Sequence, residues 1–564
     1  MSHNPIRDAR RVAKTMILEA AAGLMCEAGL APDDLPAFKV DEPSDRSHGD
    51  LAANAALVWA KGLKKAPRTI ADTIMGALTL EGSCFSKVEV AGPGFINFFL
   101  ADSWYADAVS GILADRGRFG RSDFGEGKKV NVEFVSANPT GPMHMGNARG
   151  GAIGDCLAGA LDWAGYDVTR EFYVNDAGNQ IEKFGISLEA RYLQHFMGEA
   201  AVPFPEDGYH GLDITDHAED FIAEQGDCLL DRPSDARRQT LIDYALPKNI
   251  AALESDLRRY RIEYDVWFRE SSLYADGSVD AAIKLLTERG MTYEKDDALW
   301  VKASEFGSEK DEVLVRQNGI PTYFAADIAY HINKFARGFE TCINVWGADH
   351  HGHVARMKGS MDAVGLDGSK LDIIIMQLVR LTRDGELVRM SKRTGRSVTL
   401  SDLLEEVPID AARFFFNMRE PGSPLDFDLG LANEQTNQNP VYYVQYAHAR
   451  ICSILKNFAA EGIVPKPYGD VDLTVLSHPD EQQLIMDIAA LPEQIIAAAR
   501  FYDPAQLTHY INGVGGDFHR FYSSCRCHVE DENLMHARLN LCLATQAVLG
   551  NVLTLLKISA PEQM

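Results

Sequence analysis

Short β-branched runs alternate with helical segments between residues 129 and 379. Apolar runs and period-two alternation predict strands over 130–135, 168–174, 341–347 and 371–379. Helical periodicity predicts helices over 146–163, 178–195, 325–335 and 353–364. Apolar strands separated by helices are typical of a parallel sheet covered on both faces, so we expect an α/β domain here.

The segments on either side of this alternation differ from it in pattern. Residues 1–110 combine amphipathic helices with the paired-strand pattern SKVEVAGPGFINFFL, which predicts a small α+β domain. A polar stretch at about 198–290 reads as an insertion with two helices in a domain spanning 125–435. Residues 436–564 carry long helical periodicities and predict a separate all-α domain.

Composition narrows the class of protein only in part. The 564-residue chain has a formal net charge of −26, which argues against nonspecific nucleic-acid binding but not against a local basic track. We expect no membrane span, because no run reaches the roughly 18 uncharged apolar residues that one needs. The amphipathic first helix suits a mature protein better than a signal peptide, so we expect a cytoplasmic protein.

The stretch ANPTGPMHMGNARG follows directly on the predicted strand over 130–135. Gly141 and Gly146 let the backbone approach a ligand closely, and the start of the next helix favours a phosphate. His144 lies where its ring can hold a phosphate oxygen. On the local pattern alone, a tight turn around a structural histidine is an equally good interpretation.

A second stretch, LTRDGELVRMSKRTGRSVTLSDLL, follows the last predicted strand. Its segment 386–397 combines Gly, Ser and Thr with four cations: Arg389, Lys392, Arg393 and Arg396. Such a loop can cover an anion, although taken alone a solvated basic hairpin is the better interpretation. Both stretches fall at strand ends of one alternating domain, where ligands of open parallel sheets bind.

Both stretches resemble the signatures of class I aminoacyl-tRNA synthetases. HMGN, at 144–147, is similar to their HIGH signature, and RMSKR, at 389–393, is similar to their KMSKS loop. The contexts EFVSANPTGPMHMGN, TYFAADIAYH, WGADHHGHVARM and DAARFFFNMREPGSPLDFDL resemble arginyl-tRNA synthetases in particular. HGDLAANAAL, GPGFINFFL and NPVYYVQYAHARI extend the resemblance over nearly the whole chain.

The resemblance implies a Rossmann-like catalytic domain that activates L-arginine with ATP and Mg²⁺ and transfers it to the terminal ribose of tRNA-Arg. Catalysis would then rest on positioning and electrostatic stabilisation as pyrophosphate leaves. The implied catalytic residues are His144, Asn147 and Lys392. The implied ATP-binding residues are Gly141, Pro142, His144, Gly146, Asn147, Gly347, Asp349, His350, Met390, Ser391 and Lys392.

Recognition of L-arginine requires acceptors for a planar guanidinium. Tyr323 and Asp327 lie four residues apart on one predicted helical face, and by resemblance they contact the substrate side chain. Without the resemblance, Asp327 is better read as a helix-surface carboxylate. The other implied arginine-binding residues are Glu133, Ser136, Asn138 and His351.

The DHHGH run at 349–353 has residue types that suit a metal site, and a purely structural cluster is also possible. It follows a strand where ATP or L-arginine would lie, and the resemblance implies no metal. In the helical domain, the resemblance implies anticodon binding through Tyr442, Tyr446 and Arg450, with a plain packing role as the alternative. It also implies a tRNA contact for the amino-terminal domain. We expect a monomer.

Three positions depart from the signatures. Asn147 replaces the final His of the first, and Arg389 and Arg393 begin and end the second. These departures leave a non-catalytic tRNA-binding paralogue as an alternative hypothesis. A class I synthetase of other specificity and a small-molecule nucleotidyltransferase are further alternatives. The Tyr323 and Asp327 pair argues against an acidic substrate.

Overall fold

The computed structural model describes residues 3–43, 45–388 and 398–564. Its elements form an amino-terminal α+β region, a central α/β region and a carboxyl-terminal helical region. Within these described ranges, no helix is both long and apolar enough to cross a bilayer.

The amino-terminal region packs helices against an antiparallel sheet. Its elements are α1 (Pro5–Ala20), α2 (Ala22–Ala28), β1 (Val40–Asp41), β2 (Leu51–Ala53), α3 (Ala55–Leu63), α4 (Pro67–Ala77), β3 (Phe85–Ala91), β4 (Phe95–Leu100) and α5 (Asp102–Asp115). The strand order of the sheet is β1-β2-β4-β3. The Ala-rich run DLAANAALVWAKGL, at 50–63, has the pattern of a helix, but α3 begins only at Ala55 because Leu51 to Ala53 pair with β4 instead.

The central region contains the predicted alternation and several elements beyond it. Its elements are β5 (Lys129–Glu133), α6 (Met145–Trp163), β6 (Asp167–Val174), α7 (Asn179–Met197), α8 (Leu212–Gln225), α9 (Ser234–Arg259), β7 (Val266–Arg269), α10 (Glu270–Ala275), α11 (Ser278–Glu288), β8 (Thr292–Lys295), β9 (Ala298–Val301), β10 (Glu312–Val315), α12 (Tyr323–Ala336), β11 (Thr341–Gly347), α13 (Val354–Ala363), β12 (Leu371–Met376), β13 (Val379–Arg383), β14 (Glu386–Val388), α14 (Leu400–Glu406), α15 (Ile409–Phe416), β15 (Leu425–Asp428) and α16 (Leu429–Asn433).

The main sheet is parallel throughout, with strand order β12-β11-β5-β6-β7. The chain starts at β5, moves outward through β6 and β7, and then crosses to β11 and β12 on the other side. The strand order therefore reverses between β5 and β11, and such a switch point is where open α/β sheets bind ligands. The loops after β5 and β11 carry the HMGN and DHHGH stretches.

The predicted insertion at 198–290 differs from the structure at its carboxyl-terminal end. The range holds four helices, α8 to α11, where two were predicted. Strand β7 also falls there and pairs with β6 as the edge strand of the main sheet. The sequence does not reveal β7 because an edge strand buries little of its surface and needs no continuous apolar run.

Two small sheets were not predicted from the sequence. Strands β8, β9 and β10 form an antiparallel sheet, and β13 pairs with β14 and with β15. The strand predicted over 371–379 is divided: β12 ends at Met376 in the main sheet, and Val379 begins β13 in another.

The carboxyl-terminal region is helical, as predicted, and its last turn docks on the central region. Its helices are α17 (Pro440–Ala460), α18 (Pro479–Ala489), α19 (Leu491–Phe501), α20 (Ala505–Ser524) and α21 (Glu532–Leu555). Arg413, fully buried on α15, donates to the Leu556 carbonyl oxygen (2.9 Å) and to Asp155 Oδ2 of α6 (2.6 Å). We call this contact the α6 joint.

Candidate active site

The turn after β5 is strained and holds Ser136 in place. Ser136 N–H donates to the Phe134 carbonyl oxygen (3.0 Å), which closes a three-residue turn around Val135. Val135 has a φ of 69° and Ser136 a φ of 40°, a region that a β-branched residue rarely adopts and that costs about 1–3 kcal/mol. Ser136 Oγ donates to Glu133 Oε1 (3.0 Å) and accepts from Tyr173 N–H (3.1 Å). Strain of this kind is typical of functional sites.

His144 is the N-cap of α6, and Asn147 completes the cap. The Gly146 N–H donates to His144 Nδ1 (3.2 Å), and Asn147 Oδ1 accepts from the His144 N–H (3.2 Å). Since Nδ1 is an acceptor, the neutral ring carries its proton on Nε2 and presents a donor to a ligand oxygen. Burial lowers the pKa of His144, against a smaller opposing effect of Asp349. Asn147, which departs from the signature, thus still caps the helix.

The exit of the basic loop is attached to the same turn. Met145 N–H donates to the Val398 carbonyl oxygen (3.2 Å), and Leu400 N–H donates to the Met143 carbonyl oxygen (2.8 Å). Val398, which follows the second signature, therefore lies beside the first signature. The residues predicted from that signature, Met390, Ser391 and Lys392, lie outside the described residues.

Helix α9 supports the turn that precedes His144. Asn249 is buried, and its Nδ2 donates to the Pro139 carbonyl oxygen (3.0 Å). A side chain at Gly141 would lie 3.8 Å from the Asp213 carboxylate of α8. Pro142 lies exposed in this turn. The insertion thus supports the turn before His144 from one side.

Asp327 faces the carboxyl edge of the sheet from α12. His353 is buried, and its Nε2 lies 3.1 Å from Asp327 Oδ2, while its Nδ1 accepts from Arg356 Nε (2.7 Å). His353 therefore donates to Asp327 and orients it, a role that the sequence did not indicate. Tyr323, 63% exposed at the start of α12, lies one helical turn from Asp327.

Glu270 is a second carboxylate close enough to Asp327 to interact with it, and its sequence context did not indicate a site residue. It is the first residue of α10, directly after β7, and is 5% exposed. Burial, together with the Asp327 and Asp176 carboxylates, raises its pKa to about 7. In the described part of the chain, neither Glu270 nor Asp327 forms an ion pair with Lys or Arg. Two carboxylates without a cation suit a guanidinium ligand. Recognition of VWFR as a strand would have placed Glu270 at the sheet edge.

The carboxyl edge of the main sheet also carries Glu133, Asn138 and the DHHGH run. Glu133 is buried, and its Oε2 accepts from Lys334 Nζ (2.5 Å). Asn138 is exposed and lies 3.2 Å from the Asn175 amide.

After Gly347, the side chains of Asp349, His350 and His351 are exposed at the switch point, whereas His353 turns inward. Over the described ranges, no three His, Cys, Asp or Glu side chains are arranged to hold a metal ion.

The residues predicted to bind tRNA lie apart from this edge, on α17. The Tyr442 and Tyr446 rings are nearly parallel (9°, centroids 6.4 Å apart), and His519 of α20 stacks beside Tyr446 (5.9 Å). The guanidinium of Arg450 lies over the Tyr522 ring (5.0 Å). His519 and Tyr522 extend the predicted set, and together the five residues form a row of partly exposed rings ending in a cation.

The chain matches three family models in succession. These are the "Arginyl tRNA synthetase N terminal domain" over 12–100, the "tRNA synthetases class I (R), catalytic domain" over 108–422 and the "DALR anticodon binding domain" over 444–564. A parallel sheet with its switch point and the second of these matches define a class I tRNA synthetase.

Curated relatives narrow this class. The arginine–tRNA ligase of Caldanaerobacter subterraneus is 55% identical over the full length of both chains. That of Acetivibrio thermocellus is 56% identical over 94% of this chain and 95% of its own. The chain belongs to the arginyl-tRNA synthetase family. The arginyl-tRNA synthetase of Thermus thermophilus shares the fold, with a TM-score of 0.76, 22% identity and coverage of 98% of this chain and all of that one. The predicted fold class and family resemblance are confirmed.

Proposed function

We propose that this chain is an arginine–tRNA ligase that uses its two unneutralised carboxylates, Asp327 and Glu270, to bind the guanidinium of L-arginine. This pair is the observation that carries the proposal, since a planar cation with five donors satisfies the buried Glu270 and the partly exposed Asp327 at once. His353 holds Asp327 in position. The reaction joins the L-arginine carboxylate to AMP from ATP, releases pyrophosphate, and then transfers the arginyl group to tRNA-Arg.

The two ends of L-arginine occupy different parts of the pocket. Glu133, Ser136 and Asn138 lie at the end of β5 and surround the α-amino and carboxylate groups. Tyr323 and Asp327 take the side chain, with His351 at the rim. The strained turn at Val135 sets the spacing between these two ends, so that the carboxylate meets the α-phosphate in a near-attack geometry.

ATP lies across the switch point between β5 and β11. His144 donates from Nε2 to a phosphate oxygen, and the first N–H groups of α6 add their positive dipole end. Gly141, Pro142, Gly146 and Asn147 shape this turn, and Gly347, Asp349 and His350 border the adenosine. Met390, Ser391 and Lys392 cover the phosphates from the second signature, and Mg²⁺ accompanies ATP as part of the substrate. Because charge grows on the departing pyrophosphate, these contacts strengthen in the transition state.

The tRNA meets the chain at three places. Its acceptor end enters the pocket described above, and its anticodon bases stack on the row formed by Tyr442, Tyr446 and His519, with Arg450 on a phosphate. The amino-terminal domain, at 1–110, contacts another part of the tRNA. The catalytic domain spans 125–435 and the anticodon-binding domain 436–564, and the enzyme acts as a cytoplasmic monomer.

The test is aminoacylation of total tRNA by the purified chain with each of the twenty amino acids. We expect ATP-dependent esterification with L-arginine alone. Esterification with another amino acid would overturn the specificity. Tight tRNA binding without any esterification would instead favour the non-catalytic paralogue suggested by Asn147, Arg389 and Arg393.

A further inference from the structure

The two ends of the arginine pocket are joined beneath its floor by a chain of buried hydrogen bonds. Lys334 Nζ donates to Glu133 Oε2 (2.5 Å) and to Asn344 Oδ1 (2.9 Å). Asn344 Nδ2 lies 2.8 Å from His331 Nε2, and His331 Nδ1 lies 2.8 Å from the Asp327 carbonyl oxygen. The chain therefore runs from the acceptor for the substrate amine to the helical turn that carries the guanidinium acceptor.

The direction of every bond in this chain is determined. A carbonyl oxygen can only accept, so His331 Nδ1 must carry the proton and donate to it. Burial lowers the pKa of His331 to about 3, so its ring is neutral and Nε2 accepts from the Asn344 amide. The Asn344 oxygen then faces Lys334, whose three donors require acceptors.

Lys334 is the cation that contacts Glu133, and it is 0% exposed. The titratable groups around Glu133 come from several packed elements: Lys334 and Tyr330 of α12, Glu171 and Tyr173 of β6, Cys342 of β11 and Tyr264 after α9. Within this described set, Lys334 supplies the positive charge, because the other members are acids. A buried carboxylate that loses its cation takes up a proton.

We propose that Lys334 is a positioning residue for the reaction, which holds the Glu133 carboxylate through their buried ion pair, directs it at the α-ammonium group of L-arginine and couples it to the Asp327 end through Asn344 and His331. This inference rests on the proposed role of Glu133 in binding the substrate amine. It predicts that Lys334 acts on L-arginine binding through the charge of Glu133, without touching the substrate.

A matched control lies one turn along the same helix. Arg337 forms a bidentate ion pair with the buried Glu171 (2.6 and 2.8 Å). Glu171 also accepts from Tyr330 and Asn131. The Arg337 side chain is 28% exposed, but its partner carboxylate is buried like Glu133. Arg337→Met therefore removes the cation from a buried carboxylate that the proposal does not place against substrate. A purely structural role for Lys334 predicts the same kinetic result for both variants.

The experiment measures the KM for L-arginine in ATP–pyrophosphate exchange with tRNA present, using the full-length chain between about pH 6 and about pH 9. Values are taken relative to wild type, which cancels the titration of the substrate amine. We expect Lys334→Met to raise KM by about 30-fold near neutral pH with a smaller change in kcat, and to recover about tenfold as pH rises and Glu133 ionises. Arg337→Met should leave KM within about threefold at every pH.

A double-mutant cycle keeps the test decisive if Lys334→Met folds poorly. Glu133→Gln raises KM without recovery at high pH, and adding Lys334→Met to Glu133→Gln changes KM no further, because no carboxylate remains to be ionised. The double variant also leaves no unpaired buried charge.

A pH-independent defect in Lys334→Met, or a further loss in the double variant, would overturn the proposal. An unchanged KM in Glu133→Gln would remove Glu133 from the site, and absence of arginine-dependent exchange by wild type would instead refute the proposed function.

Discussion

Charge is arranged in opposite ways at the α6 joint and in the proposed arginine pocket. At the joint, Arg413 and Asp155 form an ion pair at 2.6 Å, and the guanidinium also reaches the carbonyl oxygens of Leu556 and Tyr260. Burial opposes the charge of Arg413 most strongly, but Asp155, Cys156 and Tyr260 together outweigh burial and raise the pKa of Arg413.

Among the described residues, the guanidinium end of the proposed pocket has two carboxylates, Asp327 and Glu270, and neither is paired with a lysine or arginine. Burial first, and then the Asp327 carboxylate, raise the pKa of Glu270 to about 7, so Glu270 is partly protonated near neutral pH. A balanced buried pair contributes to the fold when both partners are present, whereas an unbalanced one favours a cationic ligand. Net charge within a cluster, more than burial itself, therefore distinguishes the structural ion pair at the joint from the carboxylates of the proposed binding site.

The largest effect is expected at the joint. Arg413→Met leaves Asp155 buried beside a single partner, Arg170, and removes the donors to two carbonyl groups. We expect the free energy of unfolding to fall by about 3–5 kcal/mol, measured by urea denaturation. Arg380→Met, which breaks the exposed pair with Asp426, serves as control and should change it by less than about 1 kcal/mol. Equal effects of the two variants would contradict the structural role of the joint.

Removing one carboxylate charge from the proposed pocket should have the opposite effect: substrate use should fall while stability does not. Asp327→Asn and Glu270→Gln each remove a charge-assisted acceptor for the guanidinium. We expect kcat/KM for L-arginine to fall roughly 30- to 150-fold, which corresponds to a loss of about 2–3 kcal/mol of transition-state stabilisation. Stability should stay level or rise, since each change relieves repulsion between carboxylates. Aminoacylation kinetics and urea denaturation of the same preparations measure both. A loss of stability with intact kinetics would show that these residues support the fold and do not bind L-arginine.

Proton uptake by Glu270 predicts a pH dependence of substrate binding. Its pKa of about 7 in the free enzyme means that protons compete with the guanidinium below neutral pH. The KM for L-arginine should rise by up to about tenfold for each pH unit below 7, and L-arginine binding should release protons in calorimetry with buffers of different ionisation enthalpy. The folded carboxyl keeps its proton above the unfolded value of 4.5, so its contribution to stability falls as pH rises from there to about 7. A Glu270→Gln variant with an unchanged pH profile would contradict the assignment.

The smallest effect is expected at Asn147. Asn147→Ala removes the acceptor for the His144 N–H and should lower stability by about 1 kcal/mol, with a few-fold increase in the KM for ATP. Thermal unfolding and ATP kinetics measure the two effects. Loss of activity beyond about a hundredfold would show that Asn147 contributes to catalysis beyond its cap.

The sequence predicts the parts of this molecule that local patterns determine. Strands β5, β6 and β11 and their helices were found because buried parallel strands and amphipathic helices have distinct periodicities. Strand β7 was missed because VWFR lies at an edge and is only partly buried.

The site residues divide in a similar way. His144 and the basic loop were recognised from turn residues and charge, and Asp327 from resemblance. Glu270, His353 and Lys334 were missed because their burial depends on elements that meet only in the folded chain. A lysine on a helix surface and a lysine under a binding pocket have the same local sequence pattern.

The α6 joint also has a consequence for the order in which the chain folds during synthesis. Arg413 Nε and Cys156 Sγ both donate to the Leu556 carbonyl oxygen, and Arg261 donates to that of Lys557. These partners are separated by between about a hundred and four hundred residues, so the contacts have a high sequence separation. The helix that carries His144 at its start therefore completes its packing only after residue 557 has left the ribosome. Folding of the catalytic region thus depends on a segment that is made about 400 residues after Cys156.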